Sequence, residues 1–206
     1  MTSSPRPLPE QAYPGEGREM ERLLSAPVLL PSDQEQAAHE MDLAAALVLA
    51  MPTAAASLDL LVNNGDIHPE GALVFGALLY LADHRDACQF WLQFAAGAGS
   101  YTAASLLSLL HRSLAELRDA EVWRRAAEAL ATGRGQAPRI ADTADKLLPE
   151  QVRADIINRC HEGLDVRLPP RLAAIIHQLP VDSDDPEYGE VPQVKAGLTR
   201  RLAAAG

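Results

Sequence analysis

Lysine is nearly missing from this chain: of 18 basic residues only Lys146 and Lys195 are lysines. Aromatics are scarce as well, at 4 % of residues, so any core must be assembled mainly from Leu, Ala, Ile and Val. Cysteine occurs twice, as Cys88 and Cys160, and never as a C-x-x-C pair. That spacing excludes a disulfide framework and suits a reducing interior, so the expected location is cytoplasmic. Positive charge is in deficit too, with a net charge of −10. An acidic domain repels nucleic acid and anionic membrane unless it carries a basic stripe. The densest basic stretches, Arg124–Arg125, 134–139 and Arg200–Arg201, are too sparse to form one. The longest uncharged run, 43–58, contains Pro52 and falls short of the roughly 20 residues a membrane helix needs. Neither nucleic acid nor membrane is therefore expected as a partner.

Catalytic signatures are equally absent. The chain has no G-x-S-x-G, no P-loop and no G-x-G-x-x-G, and Gly133-Arg134-Gly135 lacks the Lys-Ser/Thr of a phosphate loop. His39-Glu40 lacks the second histidine of H-E-x-x-H. His84 and Cys88 stand at i, i+4, which could align two metal ligands. However, Asp83-x-x-Asp86 reads as a helix start, putting His84 at a solvated end and Cys88 in the core. Asp182, Asp184, Asp185, Glu187 and Glu190 crowd one segment, but Pro186 interrupts any calcium-loop spacing. Region 182–190 thus reads as a solvated acidic loop or an acidic docking segment. No catalytic residue, cofactor or metal ligand is expected, and the chain is not expected to be an enzyme.

What is present is helix-forming. Hydrophobic residues make up 48 % of 206, enough for one domain with a proper core. Alanine and leucine favour close-packed helices over sheet. Pro5, Pro7, Pro9, Pro14 and Pro27 mark 1–31 as a disordered tail, either a solvating segment or a short partner-binding motif. A single α-helical domain is expected over 32–206, with a repeat-like core at 70–131 and C-terminal helices at 140–206. Ser32-x-x-Glu35 is a capping box opening a helix that Met51–Pro52 stops near 50. Further helices are expected over 53–63, from Pro69, from Asp83 to Gly97, over 101–115 and over 119–131. The later ones start at Pro149 and Pro170, and a last one spans 193–203. No stretch alternates with period 2, so essentially no sheet is expected.

The core carries an internal copy. Residues 72–96 recur 32 positions later as 104–128, with Ala72, Gly76, Cys88, Trp91 and Ala95 falling on Ala104, Ser108, Ala120, Trp123 and Ala127. A period in the 20–50 range signals stacked helical hairpins. Ala72, Phe75-Gly76, Tyr80, Cys88, Trp91, Ala95-Ala96, Gly99 and Ala103 resemble a Sel1-like repeat, a relative of the tetratricopeptide repeat. A second, more degenerate unit keeps Ala104, Leu107, Ser108, Ala120, Trp123, Ala126 and Ala127. The loop between the two helices, Ala82 to Asp86, lacks that family's Gly-x-Gly. Small residues at 76, 95 and 96 would let paired helices approach closely, and Trp91 and Trp123 would wedge between hairpins.

The resemblance implies stacked antiparallel hairpins and a non-catalytic function: a protein-interaction or regulatory adaptor module holding a partner peptide or helix. Tyr80, Arg112, Arg124 and Arg125, expected to be exposed on the repeat helices, are the candidate contact residues. The alternatives are a regulator sensing a small molecule between the repeats and the C-terminal helices, or an enzyme with an unrecognised helical site.

Overall fold

The computed structural model describes residues 31–63, 68–132, 146–185 and 189–205. The expected tail at 1–31 lies outside them except for Pro31, as do the cap expected at Asn64–Gly65 and the Gly133-Arg134-Gly135 link. The described chain is all-α: α1 (Asp33–Ala50), α2 (Ala54–Asn63), α3 (Pro69–Leu81), α4 (Arg85–Gly97), α5 (Tyr101–Ser113), α6 (Leu117–Thr132), α7 (Glu150–His161), α8 (Pro170–His177) and α9 (Leu198–Ala204). One small antiparallel hairpin, β1 (Val181–Asp185) with β2 (Gly189–Pro192), interrupts the helices.

The capping box forms as expected. Ser32 Oγ accepts the Glu35 N–H and the Glu35 carboxylate accepts the Ser32 N–H at 2.8 Å. Pro69 occupies the first turn of α3, where its missing N–H costs nothing. Ser100 caps α5 through the Ala103 N–H.

The four central helices start at Pro69, Arg85, Tyr101 and Leu117, so the chain advances 16 residues per helix and 32 per hairpin. A shared terminator sets that step. At the end of α3 the Asp83 N–H bonds to Tyr80 O and the His84 N–H to Leu79 O. The same pair of bonds recurs from Gly99 to Ala96 and Ser100 to Ala95, and from Ala115 to Arg112 and Glu116 to His111. Each is a Schellman motif, with Asp83 (φ 66°), Gly99 (φ 97°) and Ala115 (φ 61°) in the left-handed region. Two boundaries shift as a result. Asp83 ends α3 rather than starting α4, and the break before α6 falls at 114–116, so that α6 begins at Leu117 instead of 119.

Core positions follow the same step. Ala72, Cys88, Ala104 and Ala120 are buried in successive helices, as are Leu79, Ala95, His111 and Ala127. Glycine permits the closest crossings: a Cβ on Gly71 would lie 2.5 Å from Ser57 O and 2.8 Å from Leu61 Cβ on α2. At Gly76 it would press on Leu92 at 3.0 Å, the close approach within the first hairpin that the small residues anticipated.

Trp91 is buried edge-on against Phe75, with ring centroids 5.2 Å apart. Its indole N–H donates to Pro192 O at 3.1 Å and so ties β2 onto α4. That contact corrects the loop expected over 182–190. Val181 pairs with Pro192, Asp182 with Val191 and Asp185 with Gly189, and Val191 is buried. An anchored edge and one inward valine make a hairpin of a segment whose acidic composition reads as loop. The last helix is also shorter than 193–203, starting after Gly197 in the left-handed region.

Ala115 occupies a left-handed position without glycine's freedom. Ala115→Gly should raise stability by about 0.5–1 kcal/mol, the relief of strain less the added unfolded-state entropy. Gly71→Ala should lower it by about 1–3 kcal/mol, because a backbone carbonyl blocks the methyl. Urea denaturation of both variants checks the two signs.

Candidate functional site

One side of the two hairpins is covered from within the chain. Helix α1 packs across α3 and α5, the first helices of the two hairpins, and continues onto α7. Its buried residues Ala37, Met41, Ala45, Ala46, Val48 and Leu49 supply the apolar contact. Two polar contacts fix its register. Tyr80 Oη on α3 donates to Asp42 Oδ1 at 2.8 Å, and Arg112 Nη1 on α5 meets Glu40 Oε2 at 3.5 Å.

This placement corrects the expectation for Tyr80. It is buried, at 6 % exposure, because its ring closes the α1–α3 contact, and Arg85 stacks over it at 5.3 Å. Arg112 is half-exposed and faces α1. Arg124 and Arg125 stand apart from both on the outer side of α6. There Arg124 pairs with Glu121 and Glu128, and Arg125 with Glu121 at 2.8 Å. Hydrogen bonding from Arg124 holds the Glu121 carboxyl down to about 2. The structure therefore divides the four residues between two surfaces.

Asp42 is the centre of a polar cluster that no local motif announces. Burial raises its pKa, while the Tyr80 hydroxyl, Arg85 and His39 pull it back and Asp165 adds to the rise. Burial, then the Asp42 charge, drives the Tyr80 phenol far above its usual range. Both thiols are buried and unpaired. Desolvation pushes Cys88 and Cys160 upward, with Arg85 opposing at Cys88 and Asp42 reinforcing at Cys160. The protonated Tyr80 phenol and the partly desolvated Asp42 carboxylate form a hydrogen-bonded joint between α1 and α3.

His84 stands at the start of α4 as its N-cap, half-exposed, and there meets His177 of α8. The described residues also contain one group with three potential ligand atoms, His111, Glu116 and Asp119. His111 is buried in the slot that Leu79, Ala95 and Ala127 fill in the other helices, and its Nδ1 is 2.6 Å from Glu116 Oε2. Its Nε2 is buried with no partner. A metal on Nδ1 would force the proton onto that Nε2 and strand a buried donor, contrary to the outer hydrogen bond that metal-bound histidines keep. With the proton on Nδ1, donated to Glu116, only a lone pair is left unsatisfied, so the pair reads as a structural clasp.

No protein family, curated protein or solved structure matches this chain. The regular packing of adjacent helices is compatible with a helical-repeat fold, and no described helix is long and apolar enough to cross a membrane.

Because Asp42 titrates higher in the folded chain than its ordinary value, its contribution to stability is fully present at pH values below the unfolded pKa. It is lost as pH rises through the folded value. Asp42→Asn keeps an oxygen for Tyr80 and removes the buried charge. The stability difference between Asp42→Asn and wild type should therefore move in the variant's favour from about pH 4 to pH 7, as measured by urea denaturation at each pH.

Proposed function

We propose that this chain is a non-catalytic interaction module of the Sel1-like, tetratricopeptide-related kind, acting as an adaptor that binds a helix or peptide of another protein. The observation that carries the reading is the open end of the stack. Helix α6 is the last of the four helices set 16 residues apart, and among the described elements it packs on α5. It fully buries only Ala120 and Ala127. Leu117, at the N-terminal end of the Glu121–Arg124–Arg125–Glu128 stripe, and Val122, beside it, remain 67 % and 62 % exposed.

Stacked repeats bury each apolar face against the next unit, so an exposed terminal face is where a further helix adds to the array. The stripe of internally paired charges costs little to cover, since its ion pairs can be retained or exchanged at the rim of an interface. Arg124 and Arg125 belong to this surface. Tyr80 and Arg112 serve α1, which supplies in cis the helix that the inner face accepts. The two free, buried thiols support a reducing compartment such as the cytoplasm.

The double variant Val122→Asp/Arg125→Glu should weaken capture of the wild-type partner from the native host by at least tenfold, while Tyr80→Phe leaves capture intact. Quantitative co-purification with a thermal-melt control reads both. Equal recovery by wild type and double variant would remove α6 as the binding surface.

A further inference from the structure

His84 and His177 come from positions 93 residues apart and meet at the edge of the fold, with His84 Nε2 2.7 Å from His177 Nδ1. The ring centroids lie 4.6 Å apart and the planes are tilted by 52°. Both rings stand on fixed supports. The His84 backbone is held by its N–H bond to Leu79 O, and the segment entering α8 is held by the Leu168 N–H bond to Leu81 O at 2.8 Å. As the contact stands, a single proton shared between two ring nitrogens holds it.

We propose that His84 and His177 form a two-imidazole chelate for a divalent late transition metal ion, Ni²⁺ or Cu²⁺, whose remaining positions are filled by water. The two facing nitrogens are close enough to reach one ion, and the general affinity order of nitrogen donors favours Ni²⁺ and Cu²⁺. With metal–nitrogen bonds of about 2.0–2.1 Å, a right-angle bite needs the nitrogens about 2.9 Å apart and a tetrahedral bite about 3.3 Å. Imidazole is a preferred donor for these ions, and the lone pair must be free for it to bind. The proton that the two rings share moves to an outer ring nitrogen when the metal takes its place, so both facing lone pairs are freed.

The surroundings differ from those of His111. His177 is exposed, and neither ring of this pair leaves a buried nitrogen without a partner, so the outer N–H groups can meet water or an acceptor as ligating histidines require. Asp83 adds negative charge beside His84. Because it already faces Arg85 at 3.7 Å and Arg167 at 3.3 Å, it balances charge instead of ligating. No third side chain among the described residues reaches ligand distance from the pair, which is why water completes the shell. The bound ion staples the α3–α4 turn to the end of α8 and so restrains the C-terminal elements against the repeat.

Full-length protein without a histidine tag, titrated calorimetrically with NiCl₂, CuCl₂ and ZnCl₂ at pH 7.5, tests the site. One equivalent should bind, with Ni²⁺ and Cu²⁺ tighter than Zn²⁺. Tm should rise by about 5–10 °C at metal a hundredfold above its Kd. His84→Asn and His177→Asn, each confirmed as folded by circular dichroism, should lose at least tenfold in affinity, and His161→Asn should lose none. Unchanged affinity in either of the two single variants, no heat up to millimolar metal, or loss of binding in His111→Asn instead would each overturn the assignment. Tighter Zn²⁺ than Ni²⁺ would overturn the choice of ion.

Discussion

A helix ended by one left-handed residue, followed at once by the first residue of the next helix, sets the spacing on which the central domain is built. In each turn the residue that completes the Schellman motif also precedes the next helix: His84 and Ser100 are the N-caps of α4 and α5, and Glu116 stands just before Leu117. Thirteen helical residues plus three turn residues give the 16-residue step. Three helices of thirteen residues, about 20 Å each, and the longer α6 then lie antiparallel with their small residues in register. The pairing of Gly76 with Leu92 depends on that register. A turn one residue longer would rotate the following helix by about 100° and carry its core stripe away from its neighbours.

The same turns place chemistry. Residue 115 bends the chain so that Glu116 returns to His111, which lets a polar ring occupy an apolar slot without losing both its partners. Residue 83 turns His84 outward toward α8, while Tyr80, one turn earlier, points inward to α1. Side chains four residues apart on one helix end thus serve two different joints. Helix α1 depends on both hairpins for its seat, since Asp42 reaches α3 and Glu40 reaches α5. That arrangement departs from an open solenoid. Its inner face is built as core, with Met41 and Leu49 among the fully buried side chains.

Much of this was legible in the residues, and the parts that were not have physical reasons. The capping box at Ser32, Pro69 in a first turn, Ser100 as a cap and the buried Cys88 all follow from short-range rules that tertiary packing did not override. The 32-residue copy was visible, but its half-step was hidden. Phe75, Trp91, Leu107 and Trp123 share one place in successive helices and differ too much in shape to read as a repeat. Asp83 misled because aspartate is a good helix starter as well as one of the few residues other than glycine that tolerate a left-handed turn. The β-hairpin was missed because its anchor lies a hundred residues away, in the Trp91 indole. Tyr80 was misplaced because its partner, Asp42, belongs to a helix outside the copy.

The distribution of polar groups bears on how such a domain functions. Buried polar atoms cost free energy unless they are paired, and Tyr80 with Asp42 and Trp91 with Pro192 pair where elements distant in sequence meet, as does the exposed Thr199–Asp59 bond between α9 and α2. Apolar packing of Leu and Ala is tolerant of sliding, whereas a hydrogen bond at 2.8 Å is not. These contacts select one register for α1, for the β-hairpin and for α9 from several that the Ala-rich surfaces would accept. The protein thereby spends its few inward polar side chains on specifying the stack and presents α6 with its charges already paired. A surface of that kind favours recognition by shape over capture by net charge, as the helix-binding role proposed for it requires.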